Sequence, residues 1–182
     1  MATRSMISFD WAIKRLLRNK ANYGVLEGFL SELLSRKIII KHIVESESNK
    51  DDKTDKFNKT DILVEADGRE MVIIELQFDS YDDYFLRMLY GTSKVVTEYI
   101  NEGDSYQKVR KVYSINIVYF DLGSGDDYVY RGFTHFKGLH TNSELKLSGN
   151  EQKVFQRSVG DLYPEYYIIK VRGFDEVAKN TL

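Results

Sequence analysis

The chain has no cysteine, one proline and three histidines in 182 residues. Without cysteine there is no disulfide and no thiolate metal site. His42, His135 and His140 are scattered and show neither metal-ligand nor triad spacing. A metal, if used, must be held by oxygen, which favours magnesium or manganese. The N-terminal residues lack the apolar core and small-residue cleavage site of a secretory signal, and no apolar run approaches the ~20 residues of a membrane span. A large excess of one charge is missing too: 26 basic side chains against 28 acidic ones give a formal −2. That excludes a strongly basic, nucleic-acid-coating protein but leaves room for a local basic surface. Together these absences read as a soluble, cytoplasmic chain whose length suits one domain over residues 1–182.

What is present is unevenly placed. Residues 1–60 carry 12 basic and 8 acidic side chains, residues 61–121 carry 6 and 12, and the remainder carry 8 of each. Lys14, Arg15, Arg18 and Lys20 form the densest basic group, and it sits in the positive first third. Apolar periodicity predicts a short helix over Asp10–Leu17, with Ser8 or Asp10 as its N-cap, and a second over Asn22–Leu34. The second presents Val25, Leu26, Phe29, Leu30, Leu33 and Leu34 as a stripe. Lys37–Val44 is β-branched and reads as a strand, and the charge-dense residues 45–59 read as an exposed loop. Asp82–Ile100 is a long helix, with Phe85, Leu89, Thr92, Val96 and Tyr99 on one stripe and Arg87, Gly91, Lys94 and Glu98 on a polar one. Val112–Asp121 reads as a buried strand, Gly123-Ser-Gly125 as a turn and Tyr128–Phe136 as a further strand. Leu145–Leu147 suits a short edge strand, Glu151–Val159 a short helix and Tyr166–Val171 a last strand. The order α-α-β-β-β-α-β-β with a mixed tail implies an α/β fold, a mixed central sheet flanked by helices on both faces.

One stretch departs from ordinary strand chemistry. Residues 60–78 form two apolar runs around Asp67-Gly68, yet Asp61 opens the first run and Glu75 and Gln77 lie near the end of the second. Carboxylates are poor strand residues, and an apolar hairpin that keeps them needs a reason. Two carboxylates on adjacent strands suit a divalent metal with open positions for water and phosphate, with Gln77 orienting the water. The plainer alternative is Asp61 as a cap and Glu75 as an ion-pair partner. Register discriminates between them. A two-residue Asp67-Gly68 turn sets Asp61 opposite Ile74 and on the wrong face. A three-residue loop, Ala66-Asp67-Gly68 with a bulge at Gly68, sets Asp61 opposite Ile73 and gathers Asp61, Glu75 and Gln77 on one side. The bulged register is the expected one.

Asp61, the turn and Glu75-Leu-Gln77 after an apolar strand resemble the PD-(D/E)xK nuclease superfamily, in particular its branch of nuclease family transposases, or recombination-promoting nucleases. Phe9–Leu17, Leu26–Leu34, Tyr84–Tyr90 and Lys111–Ile117 resemble the same branch, so the likeness runs over residues 8–121. It implies a restriction-endonuclease-like core, a Mg2+- or Mn2+-dependent cut in DNA, Asp61 and Glu75 as metal ligands and Gln77 as a third catalytic residue. Gln77 stands where the superfamily usually has lysine, and the preceding proline is absent, with Lys59 and Thr60 in that region. Lys59 and Lys94 are the candidates to supply the missing charge. Asp10 is either an accessory acid or a helix cap, and Glu27 either an acid near the metal or a surface glutamate. Arg87 either touches phosphate or pairs with Glu75 or Asp79; Tyr90 either faces the cleft or packs in the core. Lys14, Arg15, Arg18 and Lys94 are the candidates for contact with the DNA backbone. The implied partner is DNA, which suggests a nucleoid-associated location, and a homodimer is open. The implied activity is a DNA endonuclease; the alternative is a nuclease-fold module that binds DNA or protein without cutting.

Overall fold

A computed structural model of the chain describes residues 22–44 and 61–171. The expected helix Asp10–Leu17, the loop 45–59 and the residues Asp10, Lys14, Arg15, Arg18, Lys20 and Lys59 lie outside the described residues. The elements are α1 (Tyr23–Leu33), β1 (Ile40–Val44), β2 (Ile62–Ala66), β3 (Met71–Gln77), α2 (Tyr84–Glu98), β4 (Val112–Val118), β5 (Val129–Gly132), α3 (Gly149–Phe155) and β6 (Glu165–Lys170). They build one six-stranded sheet in the order β1-β2-β3-β4-β6-β5. β1, β2 and β3 pair antiparallel, β3, β4 and β6 pair parallel, and β5 closes the far edge antiparallel to β6.

The sheet is mixed and α/β, and the two longer helices take opposite faces. α1 lays Leu26 and Leu30 over Val64, Val72, Ile74 and Ile115. On the other face α2 sets Val95 against Leu63, Ile73 and Val112, and Tyr84 and Met88 against Val118 and Phe120. Covered on both sides, β3 and β4 are buried along nearly their whole length. This is why they read as continuous apolar runs rather than alternating ones. Among the described residues no helix is long and apolar enough to cross a membrane.

Several boundaries differ from expectation for identifiable reasons. The first strand starts at Ile40 rather than Lys37, because the chain before it is tied to α1: Ser31 Oγ accepts the Ile38 N–H at 2.9 Å and Glu27 Oε1 accepts the Ile40 N–H at 2.8 Å. Leu145–Leu147 forms no strand; the ladder there is a single bridge between Lys137 and Glu144. The short helix is Gly149–Phe155, begun by a capping box in which Ser148 and Glu151 satisfy each other's backbone N–H.

The long helix is rotated from the expected stripe. Its buried residues are Tyr84, Met88, Gly91, Thr92 and Val95. Phe85 and Leu89, expected inside, are 53% and 54% exposed. The sheet face beneath explains the shift, since it carries Ser114 and Asn116, both buried. The Tyr84 hydroxyl donates to Asn116 Oδ1 at 3.3 Å. A phenylalanine turned onto this polar row would leave the Asn116 oxygen without that donor.

Candidate active site

The hairpin decides where the acids lie. Asp67, Gly68 and Arg69 form a 3-10 turn with Gly68 at φ +72°. Ala66 stays in the ladder, its N–H donating to the Glu70 carbonyl at 2.9 Å. The loop is thus three residues long, as expected, but lies one residue later than Ala66-Asp67-Gly68. The cause is Ala66 itself, 1% exposed and packed in the core, which cannot be released into a turn. The register is Ile62 opposite Ile74 and Leu63 opposite Ile73. Continued by one residue, it sets Asp61 opposite Glu75 rather than Ile73. The shift is two positions, so parity is kept and Asp61, Glu75 and Gln77 still share a face.

The carboxylates differ in setting. Asp61 is half-buried at the mouth of β2, and its Oδ2 accepts the Leu76 N–H at 2.8 Å. That bond ties the start of β2 to β3 past the last ladder pair. Glu75 is buried at 9% exposure on a strand enclosed by β2 and β4. Across the parallel ladder its neighbour is Asn116, and Ile73 is matched by Ser114. Gln77 is half-buried at the end of β3, where its Nε2 donates to the Asp79 carbonyl at 3.3 Å.

Beneath α2, Glu75, Tyr84, Arg87, Thr92, Ser114 and Asn116 enclose a cavity of about 10 Å³, room for about one water. Asn116 is held firmly: its Nδ2 donates to the Ser114 carbonyl, the Ser114 Oγ and the Tyr167 carbonyl at 3.1, 3.0 and 3.3 Å. Its Oδ1 is thereby fixed toward Tyr84. Burial pushes the Tyr84 phenol up, and the charge of Glu75 and, more weakly, that of Asp61 add to the effect while Arg87 opposes it. Tyr84 therefore stays a protonated donor, and both acids lie within electrostatic reach of it.

The remaining candidates divide. Arg87 lines the cavity with Glu75; its guanidinium lies over the Tyr81 ring at 5.7 Å. Among the described residues the ion pair with Glu75 or Asp79, one of its two sequence alternatives, is not found; the Tyr81 ring is its neighbour. Tyr90 is 36% exposed and neither lines the cavity nor belongs to the core; the Lys94 ammonium sits over its ring at 6.0 Å. Glu27 spends its carboxylate on β1, at the turn end of the hairpin and away from Asp61. Sequence reasoning missed Tyr84, Ser114 and Asn116 as site residues. The available signal was Ser114 and Asn116 at period two inside the apolar run Val112–Val118, two polar side chains on one face of a central strand.

The model of one protein family, described as PD-(D/E)XK nuclease family transposase, matches residues 7–147. The chain belongs to this family. No curated protein and no solved structure matches it. The mixed sheet with helices on both faces agrees with the restriction-endonuclease-like core of PD-(D/E)XK proteins. The family match includes the hairpin, α2 and β4, and so every cavity residue named above; it stops before β6. Among the described residues no group of three or more His, Asp or Glu converges.

Proposed function

We propose that the chain is a metal-dependent DNA endonuclease of the transposase-associated PD-(D/E)XK type. The observation that carries this reading is the hairpin register, Ile62 opposite Ile74, which continued by one residue sets Asp61 opposite Glu75 on one face, with Glu75 lining a polar cavity beneath α2. Two hard-oxygen donors without sulfur or imidazole fit Mg2+ or Mn2+, with Asp61 and Glu75 as the ligands. A divalent ion there supplies positive charge that polarises the phosphate and lowers the pKa of water. Gln77, on the same face, holds the attacking water through its amide oxygen. Its Nε2 is directed at the Asp79 carbonyl, which leaves Oε1 as the acceptor. A bond forms between the water oxygen and phosphorus, the phosphorus–ester oxygen bond breaks, and the water's proton passes to solvent while the leaving oxygen gains one.

A second reading, a nuclease fold that binds DNA or protein without cutting, is favoured by one observation. Gln77 is neutral where the superfamily usually has lysine, and its amide already bonds Asp79. Supercoiled-plasmid cleavage with Mg2+ or Mn2+, together with calorimetric titration of either ion, separates the two. The nuclease reading expects nicking by the wild type, none by Asp61→Asn, and a binding isotherm that Glu75→Gln abolishes. Equal cleavage by Asp61→Asn, or no ion binding by the wild type, would overturn it.

A further inference from the structure

Resting on the nuclease reading, we infer that Arg87 is the phosphate-binding cation of this site and performs the electrostatic work that Gln77 cannot. Cleaving a phosphodiester puts additional negative charge on the phosphate oxygens, and a site with two carboxylates already repels that charge. Glutamine at position 77 offers a dipole and no net charge. Among the residues lining the Glu75 cavity, Arg87 is the single cation.

Its setting suits the task. Arg87 is one turn into α2, half-buried, with its guanidinium lying on the Tyr81 ring 5.7 Å from the centroid. A ring contact takes up no N–H donor, so the planar fork of the guanidinium remains able to meet phosphate oxygens in pairs. Other arginines around the sheet, exposed or half-buried, are used up on acids: Arg36 and Arg157 on Glu70, Arg110 on Glu65, Arg131 on Glu165. Among the described residues Arg87 has no such partner. Residues 61–121 carry 6 basic and 12 acidic side chains, so a cation left unpaired among them is an exception that needs a ligand. Lys94 does not compete, because its ammonium sits over Tyr90, outside the cavity.

Two measurements on the full chain test this and fail independently of one another. The first is binding of a fluorescent duplex oligonucleotide in EDTA across a salt series, where no cleavage occurs. Arg87→Gln is expected to flatten the slope of log K against log salt by about 0.9, one phosphate contact, and Arg87→Lys to keep it. Arg87→Met, which keeps an aliphatic stem over Tyr81, guards against a fold effect and should flatten the slope equally, with a melting temperature close to the wild type. The second is plasmid cleavage. Arg87→Gln should lower kcat on the order of a hundredfold, beyond the rise in KM from the lost phosphate contact, and Gln77→Lys in the same chain should restore at least tenfold by returning a cation to the site. If the wild type cuts nothing, the nuclease reading falls and the salt slope alone decides. An unchanged slope in Arg87→Gln, or cleavage at the wild-type rate by that variant, overturns the inference.

Discussion

At the scale of single residues, Asp61 holds two positions usually offered as alternatives. One carboxylate oxygen caps a strand N–H at 2.8 Å, and the hairpin register, continued one residue past Ile62, sets the residue opposite Glu75. The first role is structural, and the second is the one the proposed chemistry would use. The two roles separate by substitution. Asparagine keeps an acceptor for the Leu76 N–H and removes the charge; alanine removes both. Asp61→Ala is expected to lose roughly 1–3 kcal/mol in urea denaturation, the value of a charge-assisted bond whose buried donor is left unmet, and Asp61→Asn less than half of that. An Asn variant as unstable as the Ala variant would show that charge rather than the cap holds the strand end. The acids were legible in the sequence because a carboxylate in an apolar hairpin is expensive. Tyr84 and Asn116 were not, because a tyrosine on a helix and one asparagine in a strand have ordinary explanations until the fold brings them within 3.3 Å.

At the scale of elements, periodicity found the helices and the central strands, and it failed where two faces compete. The first two turns of α2 carry apolar side chains at neighbouring positions, Tyr84-Phe85-Leu86 and Met88-Leu89-Tyr90, so the sequence offers two stripes about 100° apart. The choice is made by the polar row Ser114–Asn116 on β4, which takes Tyr84 and turns Phe85 outward. The hairpin failed differently: the loop length was legible from Asp67-Gly68, but its position depended on the burial of Ala66, a tertiary fact. Gly68 is where the turn's backbone demand is concentrated. At φ +72° a Cβ would meet only Arg157 Nη2, at 4.0 Å, so an added side chain costs conformation rather than space. Gly68→Ala should therefore cost about 1–2 kcal/mol and Gly68→Asn clearly less, since asparagine tolerates the left-handed region. Denaturant midpoints of the two variants give the comparison, and equal losses would point to a clash instead.

At the scale of the whole molecule, the sheet depends on a strand outside the family match. β6 lies between β4 and β5, yet residues 165–170 follow the matched stretch 7–147. What fastens it is a buried ionic cluster at its first residue, at the end of the sheet opposite the carboxylate site. Glu165, 3% exposed, accepts from Arg131 Nε of β5 at 2.6 Å and from the Tyr167 hydroxyl at 2.7 Å, and it pairs with Lys111 Nζ at 3.3 Å. Lys111 also donates to the Tyr163 carbonyl at 2.7 Å. Burial pushes the Glu165 carboxyl up, but the bonds from Tyr167 and Arg131 and the charges of Lys111 and Arg131 outweigh it and hold the group below the usual carboxylate range. The Lys111 ammonium goes the other way from an ordinary ion-pair partner: burial lowers it despite Glu165. The direction for Glu165 sets the pH dependence. A carboxyl depressed in the folded state binds its proton more weakly than in the unfolded chain. Its contribution is therefore complete above the unfolded value of 4.5 and is lost as pH falls through the folded one. Stability of the wild type should decline on acidification below about pH 4.5. Glu165→Gln should cost about 3–5 kcal/mol at neutral pH by leaving Lys111 buried without its anion, and should flatten that decline. Urea denaturation at pH 7 and across the acid range measures both effects. A variant with the wild-type acid slope would move the titration to another carboxylate and detach β6 from this cluster.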